Sequence, residues 1–396
     1  MKQKTVFYLI LIGAFQFGCT SNRQSSDSLP CIDVRKNYPE KEIVLTDIAD
    51  VTYLHLSTQN DSFLYRGGLH YETENTYLVV DLASYSILFF SKDGNPKSRF
   101  NRYGQGPEEY FQMGYENIIY DEATNDVFVP IGNRNYIQVY SSTGKYKRRL
   151  TLSDGLNLPM GSIIVSFDNQ SLLIFDSSKN WDKFRKIKAG DRSISHSQLN
   201  DSSFFLISKL NGKVLEYVDV PRLSTVIVNV INGIFTSNTI RNIVKSTDGY
   251  LLYYPVNDTV YHYKNDKTLT PIFCKTPLLT ESPNLFMYGF TDVGRYQFMT
   301  VSPPDFSRST YYMRDKETGE MFRPKLVLPN YRGKEFVITE YADFRRYLEN
   351  EYLFYLNLYE LKQADKENKL SGDLKELVDT LNEDKDNDIF MFVKFK

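Results

Sequence analysis

The sharpest local arrangement of chemistry-bearing residues is the turn Gly104-Gln105-Gly106-Pro107-Glu108-Glu109-Tyr110, closely preceded by Arg102. Gly104 and Gly106 admit positive φ, Pro107 fixes the segment that follows, and Tyr110 can staple the turn to a core. Arg102, Gln105 and Glu108 are then the polar groups that such a turn offers to a ligand, at the axial face of whatever ring carries it. It is no phosphate loop, because no Lys-Ser/Thr follows and no strand–turn–helix frames it. Asp384, Asp386 and Asp388 alternate as D-x-D-x-D, the opening of a calcium loop, but Ile389 stands where that loop needs glycine. A solvated acidic turn is expected there rather than a metal. His55, His70, His196 and His262 form no H-x-x-H or H-E-x-x-H pair, and no G-x-S-x-G occurs, so neither a zinc site nor a nucleophile elbow is supported.

Aromatic side chains are the other chemical resource. The 396 residues include 30 Tyr, 27 Phe and 1 Trp (Trp181). Tyr253, Tyr254, Tyr261, Tyr263, Tyr311, Tyr312, Tyr352, Tyr355 and Tyr359 fall mostly inside strand or helix patterns, where aromatics pack half-buried surfaces. Tyrosines at loop tips are the ones that can stack on sugar rings through an apolar face with a polar edge. Hydrophobic residues at 41% and charged ones at 24% describe a chain with a large core and exclude global disorder. A net charge of −2 argues against a nucleic-acid partner.

The N-terminus reads as an address. Lys2 and Lys4 precede the apolar run Thr5–Gly18, which falls short of the roughly 20 residues needed to span a bilayer. Residues 1–18 are a signal peptide on this reading. Cys19, directly after Gly18, resembles the lipid-modified Cys of the bacterial lipobox, with Gln16 where Leu is usual. Residues 19–41 then form a lipidated tether, and the membrane is touched through the lipid anchor only. Cys31 and Cys274 lie too far apart in sequence to carry a spacing signature, and two unbridged cysteines are expected.

From residue 42 onward the elements that must position these groups are short β-type runs separated by polar turns. Five units recur, among them YLVVD (77–81) with SILFF (86–90), DVFVP (126–130) with YIQVY (136–140), and GYLLYY (249–254) with TVYHY (259–263). Turn residues Gly94, Gly144, Gly212, Asp266 and Gly319 follow at intervals of 50, 68, 54 and 53, the longest interval holding a polar insertion at Lys179–Asp201. A period near 50 with several strands in each unit is the signature of propeller blades, which bury their faces only by stacking on neighbours. The terminal run Asp388–Lys396 alternates apolar residues with a period of two and needs a partner sheet; residues near Ile43–Leu56 can supply it and close a sixth blade. Helical spacing of Phe344, Tyr347, Leu348, Tyr355, Leu358 and Leu361, then of Leu374, Leu377, Val378 and Leu381 after Ser371 as N-cap, predicts a helical insertion over about 341–384. The fold class is all-β: a six-bladed propeller over residues 42–396.

The mature chain resembles the six-bladed β-propeller lipoproteins of gut-type Gram-negative bacteria, many of them domains of unknown function. Glu42–Leu56, the turn at 104–110 (with Glu108 in place of a third glycine) and the tail Leu374–Lys396 carry the likeness. The resemblance implies the fold and a place in the cell envelope, and an anchor in the outer membrane, on either face, is expected. It implies no reaction. Two functional classes follow. One is a non-catalytic binding module for a glycan, a peptide or an envelope protein, favoured because no catalytic motif is recognisable. The other is a propeller enzyme of lactonase, lyase or glycoside hydrolase type acting on carbohydrate-derived substrates. Sialidase-type repeats do not occur. No cofactor is expected, and calcium on the channel axis has no support in the sequence.

Overall fold

The computed structural model describes residues 29–396 except 60, 112, 114–116, 154–155, 157, 159–161, 176–202, 222–228, 232–233, 237–242, 255–256, 279–284, 304–307 and 339–350. The chain opens with β1 (Cys31–Asp33), β2 (Glu40–Val44), the single turn α1 (Leu45–Ile48) and β3 (Ala49–His55). Blade 1 follows as β4 (Leu69–Glu72), β5 (Thr76–Val80), β6 (Ile87–Ser91) and β7 (Pro96–Phe100). Blade 2 is β8 (Ile119–Asp121), β9 (Asp126–Pro130), β10 (Tyr136–Tyr140) and β11 (Tyr146–Thr151). Blade 3 is β12 (Ile163–Ser166), β13 (Ser171–Phe175), β14 (Phe204–Ser208) and β15 (Val214–Val218). A small hairpin, β16 (Asn229–Ile231) with β17 (Ile234–Thr236), precedes blade 4: β18 (Ile243–Ser246), β19 (Gly249–Leu252), β20 (Thr259–Lys264) and β21 (Leu269–Thr276). Blade 5 is β22 (Phe286–Val293), β23 (Tyr296–Ser302), β24 (Thr310–Asp315) and β25 (Met321–Leu328), with β26 (Tyr331–Phe336) paired to the end of β25. Blade 6 joins β27 (Glu351–Leu356) and β28 (Ile389–Phe395) to β3, with α2 (Leu358–Lys366) and α3 (Gly372–Thr380) inserted before β28.

Burial follows this layering. The middle strands β5, β9 and β13 are buried at every residue, because both faces of each sheet pack on a neighbouring blade. The last strands β7, β11 and β15 alternate between half-buried and exposed positions, as the outer edge of a ring requires. First strands of neighbouring blades approach one another, β4 to β8, β8 to β12 and β18 to β22, and so line the axis. Five buried apolar clusters lie between the sheets rather than in one central core.

The ring closes where the alternation of the last residues demands. β28 pairs antiparallel with β27 on one side and with β3 on the other, Ile389 opposite His55 and Phe395 opposite Ala49. Its outward aromatics Phe390 and Phe392 enter the cluster that holds Tyr77, Leu88 and Phe90 of blade 1. Burying each Phe is worth roughly 1.5–3 kcal/mol. Asn387 spans the same seam, donating to the carbonyls of Leu56 (2.9 Å) and Phe63 (3.1 Å) and accepting from the Tyr65 amide (3.1 Å).

Several expectations change. The stretch assigned to a tether up to residue 41 already carries β1 and the start of β2, each added in parallel to the outer edge of a blade, β1 on β21 and β2 on β25. That register sets Cys31 opposite Cys274, and the two form a disulfide with a Cα–Cα distance of 4.3 Å, so the cysteines are bridged rather than free. The opening strand is interrupted by α1, so only β3 completes blade 6. Tyr355, placed by its spacing on a helix, lies in β27, where Tyr352, Phe354 and Leu356 are buried and the residues between them are not. Period two wins there because β28 supplies a partner edge. Ser371 holds the N-cap position of α3 without a side-chain cap bond; the Asp373 carboxylate accepts from the Leu374 amide instead (3.1 Å). Phe344, Tyr347 and Leu348 lie outside the described residues.

Candidate functional site

Within each blade the first-to-second and third-to-fourth connections are short, as between Glu72 and Thr76 or Ser91 and Pro96. The other two kinds leave the opposite end of the sheet and are longer. β7 ends at Phe100 and β8 begins at Ile119; β13 ends at Phe175 and β14 begins at Phe204. One face of the ring therefore carries the long connections, the usual carriers of recognition on a rigid scaffold.

On that face, between blades 1 and 2, lies the turn at 104–110. Tyr110 is fully buried, edge-on to Tyr140 at 5.8 Å. Its hydroxyl donates to the Tyr85 carbonyl (2.8 Å) and accepts from the Arg102 amide (3.0 Å). Burial pushes that hydroxyl up to about 12, so it remains a donor at any physiological pH. Buried Gln138 and exposed Arg149 of blade 2 both donate to the Pro107 carbonyl, at 3.0 and 2.7 Å, and the Tyr140 hydroxyl donates to the Glu108 carbonyl at 3.0 Å. The turn thus packs against β10 and β11, the two outer strands of blade 2, and away from the strands that line the axis. Neither Gly104 nor Gly106 has positive φ. A Cβ at Gly104 would displace the Glu109 carboxylate, which accepts from the Gly106 amide at 2.8 Å. Arg102 is exposed and its Nε donates to the Gly144 carbonyl (2.8 Å). Gln105 and Glu108 are exposed, without a side-chain partner among the described residues.

The turn presents aromatic rings that the sequence did not single out. Tyr85, in the β5–β6 connection, and Tyr103 stack at 4.5 Å between centroids and 12° between planes. Tyr103 keeps 50% of its surface exposed. The pair is held in place from both sides. Asp81 accepts from the amides of Arg66 (2.9 Å), Ala83 (3.1 Å) and Ser84 (3.1 Å). Burial would raise its carboxyl, but the Ser84 hydroxyl and these amides outweigh it and hold the group below the ordinary carboxylate range. That loop puts Tyr85 at φ 59°, a conformation that costs a non-glycine residue on the order of 1–2 kcal/mol and needs such support. From the other side Asn101 donates to the Ser84 carbonyl (2.7 Å) and accepts from the Tyr103 amide (2.8 Å). Farther along the seam, Arg134 lies 5.4 Å over the Phe111 ring and Arg149 lies 4.2 Å over Tyr136.

The remaining candidates are taken up by the fold. His70 is buried and its Nδ1 accepts from the Val80 amide (3.0 Å). His55 stands 3.8 Å from Asp386, and burial lowers its pKa. His262 lies in β20 opposite Leu251. In the acidic tail, Asp388 accepts from the Leu358 amide at the start of α2 and from the Tyr355 hydroxyl, both at 2.6 Å. Asp386 accepts from the Asn382 amide (2.8 Å). Among the described residues no group of three or more His, Cys, Asp or Glu is arranged to hold a metal ion. A cavity of about 150 Å³ opens between β26, β27 and α2, lined in part by Phe336, Phe354 and Leu361, with Lys334 and Glu360 paired at 3.6 Å beside it. Cys19, Trp181, His196 and the insertion at 179–201 lie outside the described residues.

Six four-stranded or shared sheets around an axis, closed by strands from both ends of the chain, define a six-bladed β-propeller. The chain belongs to the DUF5128 family, described as a 6-bladed beta-propeller, whose model matches residues 20–277. No curated protein matches it. Among solved structures it is similar to a candidate exported protein from Bacteroides fragilis NCTC 9343, at 18% identity and a TM-score of 0.61, covering 90% of this chain and 99% of that one. It also matches a member of the duf4221 family from Bacteroides vulgatus ATCC 8482, at 10% identity and a TM-score of 0.43, over 88% and 97% of the two chains. A streptogramin B lyase aligns at 14% identity and a TM-score of 0.36, over 72% and 76%. The likeness to the Bacteroides fragilis protein establishes the fold and leaves the chemistry to the site.

Proposed function

We propose that the protein is a cell-envelope binding module, tethered by a lipid on Cys19 to the outer membrane, that engages a glycan at the seam between blades 1 and 2. The observation that carries this reading is the Tyr85–Tyr103 stack, with half of Tyr103 exposed and both residues locked by a dedicated hydrogen-bond network. A fixed ring with a polar edge binds a sugar with little loss of side-chain entropy, and Gln105 and Glu108 supply adjacent hydrogen-bonding groups. Export is supported by the Cys31–Cys274 disulfide, a bond that persists in oxidising compartments. The name of the Bacteroides fragilis neighbour points the same way.

The test uses the full chain in detergent on a panel of polysaccharides. Tyr103→Ala is expected to weaken the best binder about tenfold or more, the loss of a central aromatic contact, with an unchanged melting temperature. Unchanged binding by that variant sinks the site. In a second arm, Cys19→Ser should move the protein from the membrane pellet to the soluble fraction; retention in the pellet contradicts the anchor.

A further inference from the structure

We infer that the glycan taken at this seam is acidic, its carboxylate or sulfate groups met by the guanidinium groups of Arg134 and Arg149, with Arg102 on the same turn. The inference rests on the binding reading above and adds the charge class of the ligand.

The chain holds 49 acidic side chains against 47 basic ones, so a cation has no difficulty in finding a partner. On β11 this is what Lys147 and Arg148 do: both reach Asp126, each at 2.6 Å. Arg149, next along the strand, has no carboxylate partner among the described residues. Its guanidinium is fixed by neutral groups: the Tyr136 ring at 4.2 Å, the Pro107 carbonyl at 2.7 Å and the Gln138 amide oxygen at 3.4 Å. Two of its donors are used and the rest meet no protein acceptor among those residues. Arg134 repeats the arrangement. Its backbone is pinned by hydrogen bonds to Ile131 (3.2 Å) and from Leu158 (2.9 Å), its guanidinium lies 5.4 Å over Phe111, and its side chain is exposed with no acceptor among the described residues. Arg102 is likewise held by a carbonyl, that of Gly144.

Ring faces and carbonyls order a guanidinium without neutralising it. Such a group loses little entropy on binding, and its planar fork matches a carboxylate or sulfate through paired hydrogen bonds. The turn's own acids, Glu108 and Glu109, stand against three arginines, and the Gly106 amide draws the Glu109 carboxylate onto the turn's backbone. Positive, pre-ordered donors therefore meet the chain segment from which Tyr103 projects, Arg149 at Pro107 and Arg134 over Phe111, with Arg102 adjacent to Tyr103 in sequence. Sugar stacking on the rings and oxyanion capture by the arginines describe one ligand, a polysaccharide bearing planar or tetrahedral oxyanions. An acidic peptide would use the arginines and leave the tyrosine pair idle.

The full chain is titrated with polygalacturonate, with its methyl-esterified form, with dextran sulfate, with dextran and with polyglutamate, at low and high salt. At least one charged polysaccharide should bind about tenfold more tightly than its neutral counterpart, and salt should erase the difference. Preference for polygalacturonate identifies a carboxylate ligand, preference for dextran sulfate a sulfated one; either supports the inference. Arg149→Gln and, independently, Arg134→Gln should reduce the preference severalfold while the melting temperature holds. Arg134→Gln guards against misfolding, because among the described residues that side chain meets only the Phe111 ring. Equal binding of charged and neutral polymers, with Tyr103→Ala still damaging, overturns this inference and leaves the binding reading intact. Tighter binding of polyglutamate than of either charged polysaccharide overturns it in favour of a peptide. No binding of any polymer overturns both.

Discussion

Asp315 shows how single residues in this ring are given their roles by geometry. Arg295 donates to it through Nε at 2.7 Å and through a second, closer guanidinium nitrogen, and with the amides of Glu317 and Thr318 this holds the carboxyl down at about 2. Its folded value lies below the unfolded one of 3.8, so its contribution to stability is complete above pH 4 and is lost as pH falls toward 2. Asp315→Asn is therefore expected to destabilise the protein at neutral pH, with the gap to the parent closing between pH 4 and 2 in acid-unfolding curves. A constant gap across that window would show that the pair has no such role. The same dependence on geometry governs what was legible at the turn. Pro107 and Tyr110 stood out by type, and both are fixed where the turn meets blade 2. Tyr85 and Tyr103 did not stand out, because nothing in spacing says that a loop tyrosine at φ 59° will lie on a ring from the next connection. Glu109, the acid that folds onto the Gly104-Gly106 backbone, is indistinguishable in sequence from its neighbour Glu108.

At the scale of the element, glycine recurrence was legible and its reason was only half so. Gly94, Gly144, Gly212 and Gly319 all turn with positive φ, as their positions imply, while the fourth member of the series uses Lys267 at φ 67°. What the spacing could not show is that these turns face the end of the preceding blade's outer strand. A Cβ on Gly94 would stand 2.5 Å from the His55 carbonyl oxygen, and one on Gly212 would stand 2.8 Å from that of Thr151. Around Gly319 nothing lies within 4 Å. Gly319→Ala should cost about 1 kcal/mol, the conformational term only, and Gly94→Ala at least twice that because backbone must move. Chemical denaturation of the two variants checks the order; equal losses would show that the seams yield freely. The outer strap β1–β2 was invisible for a related reason. Short runs such as CID and EKEIV show little strand signal by themselves, and their pairing with β21 and β25 is a tertiary fact. The disulfide follows from that register and closes a loop with a sequence separation of 243. In the chain-entropy account such a closure is worth about 5.5 kcal/mol.

The whole molecule is a ring whose closure and whose working face come from the same alternation of strands. Closure was legible because a terminal run as apolar as IFMFVKF has to be sheltered, and β3 and β27 shelter it. The blade count was legible because five units recur in the sequence and the two ends of the chain share a sixth. The location of the candidate site was not, since the turn lies on outer strands of blade 2 and acquires its tyrosines and arginines from connections of two different blades and from β11. Ring geometry puts blade 4, to which the disulfide fastens the N-terminal strap, across the axis from blade 1. The N-terminal strap is thus fastened on the side of the ring remote from the Tyr85–Tyr103 pair.

The claim on which the account turns is that ligand sits at the seam of blades 1 and 2, and amide hydrogen exchange with and without polygalacturonate tests it most directly. Added protection is expected in the amides of 81–86, 101–111 and 131–136 alone, and is expected to be lost in Tyr103→Ala. Protection centred instead on the cavity between β26, β27 and α2, with the seam unchanged, would contradict it.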